Sequence, residues 1–212
     1  MNRSELTGIY LAAGQSRRMG ENKLALPFSA HSLGAFALEK ALQSNLDRII
    51  VVTDHQEIPS WLAEAIPSVT LSSKCRCVVC PNATEGISQS IRAGIREALA
   101  LHAKAAMIML ADQPFITSDM LNSIIDAFYR CRKAKPYIRY AASAFQNITG
   151  PPVLFSHDAF PDLLQLEGDT GAKQMLKRMP GVSIEFRDRT LFYDVDTRAQ
   201  YDALLPFALS QS

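Results

Sequence analysis

A short segment near the amino terminus combines glycines with several cationic side chains. The run Leu11-Ala-Ala-Gly-Gln-Ser-Arg-Arg-Met-Gly20 follows an apolar stretch and precedes Lys23. Glycine lets backbone amides approach an anion closely, and the charges of Arg17, Arg18 and Lys23 can spread over a polyphosphate. The glycine spacing matches neither a Walker A loop nor a dinucleotide-binding fingerprint. The segment predicts a phosphate-binding loop, and an ordinary strand-to-helix turn with a basic tip is the alternative.

Carboxylates follow or end apolar segments at two places in the chain. Asp112 follows the apolar run Ala105–Ala111, and Asp194 and Asp196 lie near the carboxyl terminus. Side chains two residues apart face the same side of a strand. Because oxygen ligands suit Mg²⁺, Asp112 and Asp196 are predicted to bind this ion. For Asp196 the alternative is a role as helix N-cap, for which Thr197 competes.

Three further segments place glycine beside polar or rigid residues. Gly86 and Ser88 lie at the start of a predicted helix, where free amides and a hydroxyl could hold a ribose or a base. Asp169 and Lys173 open another helix, and Lys173 is free to meet an anion. Gly150 and the two prolines that follow it are predicted to form a stiff turn into a strand. The alternatives are helix capping by Ser88, helix capping by Asp169 or Thr170, and a simple β-turn.

The order of apolar segments predicts an α/β fold for residues 1–212 as one domain. Short apolar runs alternate with longer segments of helical spacing, and runs such as Arg48–Thr53 are typical of parallel strands covered on both faces. We expect a three-layer α/β/α sandwich with a mostly parallel, Rossmann-like sheet. Ligands of such sheets bind at the carboxyl ends of the strands, so the segments described above should converge there.

The boundaries of these elements follow from the apolar periods. The predicted strands are Leu6–Ala13, Arg48–Thr53, Lys74–Cys80, Ala105–Ala111, Tyr137–Ala144, Pro152–Phe155, Val182–Phe186 and Leu191–Val195. The predicted helices are Leu33–Ser44, Glu57–Ala65, Ile87–His102, Ser118–Cys131, His157–Leu166, Gly171–Met179 and Arg198–Ala208.

Composition excludes several classes of partner. The chain carries 22 basic and 21 acidic side chains, a net charge of +1, so no global field favours nucleic acid or an anionic membrane. The apolar runs are too short to span a bilayer, and the amino terminus lacks the shape of a signal peptide. A cytoplasmic location is expected. Cys75, Cys77 and Cys80 could supply three zinc ligands, but a strand with small buried side chains is the preferred interpretation.

Taken in order, these segments resemble the MobA-like nucleotidyltransferases of molybdenum cofactor maturation across nearly the whole chain. The matching motifs are LAAG-x-S-x-RMG-x-x-K at Leu11–Lys23, the glycine–serine segment Gly86–Ile91, LADQP at Leu110–Pro114, GDxGA at Gly168–Ala172 and the closing Asp194–Thr197. The resemblance implies nucleotide binding by Leu11, Ala12, Ala13, Gly14, Arg18, Lys23, Gly86 and Ser88. It implies catalytic roles for Arg18, Lys23 and Asp112, Mg²⁺ binding by Asp112 and Asp196, and acceptor binding by Gly150, Asp169 and Lys173.

Within this family the chain resembles the cytidylyltransferase branch, which serves xanthine dehydrogenase-type hydroxylases and purine catabolism. Its LAAG stands where guanylyl-transferring relatives have LAGG, and the methyl group of Ala13 would crowd a guanine. The chain departs from the branch at Ala83, at Gly150-Pro-Pro152 and at Lys173. By the resemblance, these positions belong to the acceptor side of the site.

The reaction implied by the resemblance is transfer of CMP from CTP to the terminal phosphate of molybdopterin, with release of pyrophosphate. A molybdenum hydroxylase apo-enzyme is the further partner that it suggests. Two alternatives stay open: transfer to another phosphorylated acceptor such as a sugar 1-phosphate, and a non-catalytic molybdopterin carrier.

Overall fold

The computed structural model describes residues 6–14, 19–54, 58–65, 73–169 and 171–210. The strands are β1 Leu6–Leu11, β2 Pro27–Phe28, β3 His31–Ser32, β4 Arg48–Thr53, β5 Cys75–Val79, β6 Ala105–Leu110, β7 Tyr140–Phe145, β8 Ile148–Ser156 and β9 Gly181–Glu185. The helices are α1 Leu33–Gln43, α2 Ser60–Ala65, α3 Ile87–Ala100, α4 Ser118–Ala134, α5 Phe160–Leu163, α6 Ala172–Leu176 and α7 Arg198–Leu209. Short 3₁₀ turns occupy Lys23–Ala25, Ala83–Glu85, His157–Ala159 and Arg189–Phe192. None of the helices in these ranges combines the length and apolarity needed to cross a membrane.

Seven strands form one sheet in the order β5-β4-β1-β6-β8-β7-β9. The neighbours β5, β4, β1 and β6 pair in parallel, as do β7 and β9, whereas β8 runs antiparallel to both of its neighbours. Residues of α1 and α4 pack on one face, and residues of α3, α5 and α6 pack on the other. The predicted three-layer sandwich with a mostly parallel sheet is confirmed.

Helix α3 lies unusually close to the centre of the sheet. Its buried side chains Ile91 and Ile95 pack on the sheet, and between them Gly94 faces Ile9 of β1. A Cβ atom at Gly94 would lie 2.4 Å from the Cγ2 atom of Ile9, so only glycine permits this approach. The contact fixes the helix over β1 and places its N-cap residue, Gly86, near the carboxyl end of that strand.

One predicted strand, Leu191–Val195, is wrong. The backbone instead forms the 3₁₀ turn, where the carboxylate of Asp188 accepts a hydrogen bond of 2.8 Å from the amide of Thr190. Phe192 packs against the rings of Phe145 and Phe186. Apolar residues here cover the end of the sheet without joining it, which an apolar run alone cannot reveal. The other strands and helices occur within a few residues of the predicted bounds, and Glu57, the predicted start of the second helix, lies outside the described residues.

The three clustered cysteines do not face a common point. Cys75 and Cys77 pack with the core on one face of the sheet, whereas Cys80 packs with the core on the other. Burial, with a smaller effect of Cys77, raises the pKa of the Cys75 thiol to about 12. The structure therefore supports the interpretation of a strand with small buried side chains and argues against a shared zinc ion.

A third apolar cluster joins parts of the chain that are distant in sequence. It contains Phe28 of β2, Phe36 of α1, Phe115 after β6, Val195, and Tyr201 of α7. The ring of Phe28 is fully buried and lies 5.3 to 5.9 Å from the rings of Phe36, Phe115 and Tyr201. This cluster holds the segments that follow Lys23, Asp112 and Asp196 against one another.

Phe28→Ala is expected to destabilise the protein by roughly 3–5 kcal/mol, because the substitution leaves a cavity among three rings. Urea unfolding followed by circular dichroism measures this loss. Phe207→Ala is the matched control, since it removes a ring that is 49% exposed on α7. That change should cost about 0.5 kcal/mol or less. Equal losses from the two substitutions would show that this cluster does not hold the fold together.

Candidate active site

A cleft of about 460 Å³ opens at the carboxyl ends of β1 and β6. Its floor comes from the end of β1 and from the residues that follow, and its far side comes from the start of α3. This is the edge of a parallel sheet at which ligands bind. The predicted nucleotide-binding residues that line it are Leu11, Ala12, Ala13, Gly14, Lys23 and Gly86.

The ammonium group of Lys23 joins the two predicted metal ligands. It donates hydrogen bonds to Asp112 Oδ2 at 2.8 Å, to Asp196 Oδ1 at 3.1 Å and to the carbonyl oxygen of Val195 at 2.7 Å. Its side chain is only 14% exposed, compared with 26% for Asp112 and 43% for Asp196. Three segments that are far apart in sequence therefore meet at one buried positive charge.

Local structure fixes the position of Lys23. Asn22 caps the short 3₁₀ turn by accepting a hydrogen bond of 3.2 Å from the amide of Leu24, whose side chain is buried. Burial by itself would lower the pKa of the Lys23 ammonium. The charge of Asp112 and the hydrogen bonds to Asp112 and Asp196 outweigh burial and raise this pKa above its ordinary value.

Asp196 is available to Lys23 because its neighbour caps the following helix. Thr197 accepts the amide hydrogen of Gln200 at 3.3 Å, and the side chain of Gln200 accepts from the amide of Thr197 in return. The amide of Val195 also donates to the carbonyl oxygen of Asp112 at 2.9 Å. The alternative in which Asp196 is the N-cap is therefore wrong, since Thr197 takes that role.

Gln113 links the same strand end to Asp194. Gln113 is buried, and its side chain hydrogen-bonds the carboxylate of Asp194. Desolvation is the main cause that raises the pKa of Asp194, and the charges of Asp112 and Asp196 add to it. The hydrogen bond from Gln113 and the charge of Lys23 oppose this rise without cancelling it. Among the described residues that line the cleft, Lys23 is accompanied by the three carboxylates of Asp112, Asp169 and Asp196.

The wall of the cleft opposite β6 is a contact between two backbones. Gly86 has a φ of +127°, and a Cβ atom there would lie 2.3 Å from the carbonyl carbon and oxygen of Gly168. The amide of Ser88 donates to that same carbonyl oxygen at 3.2 Å. The contact places Asp169 in the lining of the cleft beside Gly86.

Some predicted site residues lie outside this lining. Ser88 is fully buried, and its hydroxyl has no hydrogen-bond partner within the described ranges. The predicted turn at Gly150 is wrong, because Gly150 lies within β8, where its carbonyl oxygen accepts a hydrogen bond of 2.9 Å from the Ser143 hydroxyl. Lys173 is exposed on α6. Arg18 lies outside the described residues. The roles of these residues stay predictions.

The cleft also contains residues that the sequence reasoning did not assign. Thr84 and Ile87 flank Gly86, and Leu24 and Leu110 flank Lys23 and the strand end. Thr84 brings a hydroxyl group to the wall. The sequence signal for Thr84 was its position two residues before Gly86, at the start of a helix. Residues next to such a helix start can reach a ligand that is bound there.

The carboxylates of Asp112 and Asp196 fit a divalent cation. Their oxygens converge on one positive charge, the Lys23 ammonium, and both are hard ligands of the kind that Mg²⁺ prefers. No group of three or more His, Cys, Asp or Glu residues suited to a metal occurs in the described part of the chain. Two carboxylates are sufficient where substrate phosphates complete the coordination.

Comparison with known proteins agrees with this geometry. Residues 8–182 match the MobA-like NTP transferase domain. The chain is 36% identical to the purine catabolism protein PucB of Bacillus subtilis, over 93% of this chain and 94% of PucB. It is 25% identical to the molybdenum cofactor cytidylyltransferase of Escherichia coli, over 92% of each chain. The structure of Rv0371c of Mycobacterium tuberculosis in complex with manganese matches with a TM-score of 0.70 and 25% sequence identity. The match covers 96% of this chain and 99% of Rv0371c.

The fold, the cleft and these relatives define a nucleotidyltransferase. More narrowly, the chain belongs to the MobA-like NTP transferase family.

Gly86→Ala is expected to push the segment at Gly168 away from α3, because the added methyl group overlaps its carbonyl and the backbone has a positive φ. The free energy of unfolding should fall by about 1–3 kcal/mol, measured by urea unfolding. Gly14→Ala is the matched control for stability, since a Cβ atom there meets nothing within 4 Å. A Gly86→Ala protein as stable as the Gly14→Ala protein would contradict this account of the wall.

Proposed function

We propose that this protein transfers CMP from CTP to the terminal phosphate of molybdopterin and releases pyrophosphate. The observation that carries the proposal is the triad of Lys23, Asp112 and Asp196 in a cleft that is also lined by Leu11–Gly14. The similarity to a cytidylyltransferase of the molybdenum cofactor and to PucB supports the choice of substrates.

Catalysis of this transfer needs positioning and neutralisation of charge more than covalent help. Leu11, Ala12, Ala13 and Gly14 line the cleft, where the amides of Ala13 and Gly14, beyond the end of β1, can hold the triphosphate. Lys23 and Arg18 would stabilise charge on the α- and β-phosphates. Asp112 and Asp196 would hold Mg²⁺, which when bound neutralises the triphosphate and the attacking oxygen.

The transfer of CMP needs no reactant besides CTP and molybdopterin. An oxygen of the terminal phosphate of molybdopterin forms a bond to the α-phosphorus of CTP. The bond from that phosphorus to the bridging oxygen of the β-phosphate breaks, and pyrophosphate leaves with the electron pair. The protein's own contribution is to align the two phosphates across the cleft, with the nucleotide on the side of Gly14 and the acceptor on the side of Asp169.

The predicted acceptor residues lie in and around one wall of the cleft. Asp169 lines the cleft, whereas Gly150 and Lys173 lie in neighbouring elements. We propose that these three residues contact molybdopterin and that a molybdenum hydroxylase apo-enzyme receives the product. A sugar 1-phosphate acceptor and a non-catalytic carrier are the competing functions.

Incubation of the protein with α-labelled CTP, Mg²⁺ and molybdopterin is expected to yield a labelled dinucleotide and pyrophosphate. Asp112→Asn and Asp196→Asn should each reduce the rate about 100-fold or more, because each removes a charge from the triad while keeping its shape. Asp126→Asn, on the outer surface of α4, is the control and should leave the rate unchanged.

The competing functions give different results in the same assay. Turnover with a sugar 1-phosphate but not with molybdopterin would replace the acceptor. Tight molybdopterin binding without any labelled product would support the carrier. Full activity of Asp112→Asn and Asp196→Asn would remove both carboxylates from the mechanism.

Ala13→Gly is expected to weaken the preference for CTP over GTP. Ala13 lines the cleft, and one methyl group contributes about 1–3 kcal/mol of discrimination in such a pocket. The measurement is the rise in Tm with each nucleotide in Mg²⁺, since a ligand stabilises the native state by mass action. An unchanged ratio of CTP to GTP affinity would show that Ala13 does not contact the base.

A further inference from the structure

The ammonium group of Lys23 has its hydrogen bonds directed at the protein. An ammonium group has three N–H donors. The three acceptors Asp112 Oδ2, Asp196 Oδ1 and the carbonyl oxygen of Val195 lie within 3.1 Å of it. In this arrangement all three N–H donors of Lys23 have acceptors, and the ammonium group faces the carboxylates and not the open cleft.

The same three acceptors are oxygen atoms suited to a divalent cation. Two carboxylates and one carbonyl converge on the Lys23 nitrogen, which is buried more deeply than either carboxylate. Hard oxygen ligands of this kind bind Mg²⁺ and Mn²⁺. A metal ion that binds both carboxylates would therefore compete with the Lys23 ammonium group for one position. The two positive charges would repel each other strongly if both stayed there.

We infer that in the free protein Lys23 occupies the position at which Asp112 and Asp196 hold the divalent cation. The metal ion and the triphosphate then bind together, because the phosphates offer Lys23 a new partner and release the carboxylates. The inference rests on the proposed metal–nucleotide site and adds an order of binding to it.

The chemistry of Lys23 suits this exchange. Its charge sits on a flexible four-carbon stem with rotatable donors, so the ammonium group can turn while the backbone of the 3₁₀ turn stays in place. The carboxylates, in contrast, are tied to fixed backbone, since Val195 bonds to Asp112 and Thr197 caps α7. The lysine is therefore the member of the triad that moves.

The test measures binding of Mn²⁺ itself, by the electron paramagnetic resonance signal of the free ion, and does not use activity. The wild-type protein should bind Mn²⁺ weakly alone and about tenfold or more tightly with a non-hydrolysable CTP analogue. Lys23→Met should bind Mn²⁺ alone about tenfold or more tightly than the wild type, and the analogue should add less. Lys104→Met, which removes an exposed charge at the opposite end of β6, should resemble the wild type.

The outcomes separate this inference from the proposed function. Equal Mn²⁺ affinity of the wild type with and without the analogue would overturn the order of binding while keeping the metal site, and this comparison needs no variant. Equal affinity of the wild type and Lys23→Met for Mn²⁺ alone would also overturn it, provided that circular dichroism shows both proteins folded. No Mn²⁺ binding to any protein, even with the analogue, would instead remove the metal site from the proposed function.

Discussion

The contact between Lys23 and its two carboxylates is the interaction on which the rest of the site depends. It spans 89 residues to Asp112 and 173 residues to Asp196, so it brings the start, middle and end of the chain to one point. The desolvation of a lysine is unfavourable unless anions compensate it, and here two carboxylates and a carbonyl do so. The fold has to supply these partners with accurate geometry.

The sheet supplies that geometry. Parallel pairing of β1 with β4 and β6 sends the carboxyl ends of all three strands to one edge, where Asp112 follows β6 directly. Asp196 comes from outside the sheet, and the hydrogen bond from Val195 to the carbonyl oxygen of Asp112 joins it to that edge. The aromatic cluster around Phe28 packs against Phe115 and Val195, which lie near Asp112 and Asp196 in the chain. Site and core thus share the same segments.

Much of this architecture could be predicted from the sequence, because apolar periods report burial, and burial fixes strands and helices. The prediction for the segment Leu191–Val195 was wrong because its apolar side chains are partly or fully covered by packing of a turn against the core, without pairing in the sheet. The residues of the cleft floor were also predictable, since they follow strands. The hydrogen bonds of Lys23 to Asp112 and Asp196 could not be predicted. The sequence indicates that Lys23 is a cation suited to phosphate, but it does not show which carboxylates lie next to it in the folded protein. The approach of Gly86 to Gly168 likewise depends on packing between distant segments.

The contact between Gly86 and Gly168 joins two segments of the chain within one wall of the cleft, and it limits how the protein can be redesigned. No side chain stands between Gly86 and the carbonyl of Gly168, so there is no intermediate residue that could absorb a change on either side. Ala13, in contrast, belongs to the separate loop after β1. A library intended to alter the choice of nucleotide can vary the loop at Ala13 by itself, whereas any variation at Gly86 has to include residues 168 and 169 from the outset.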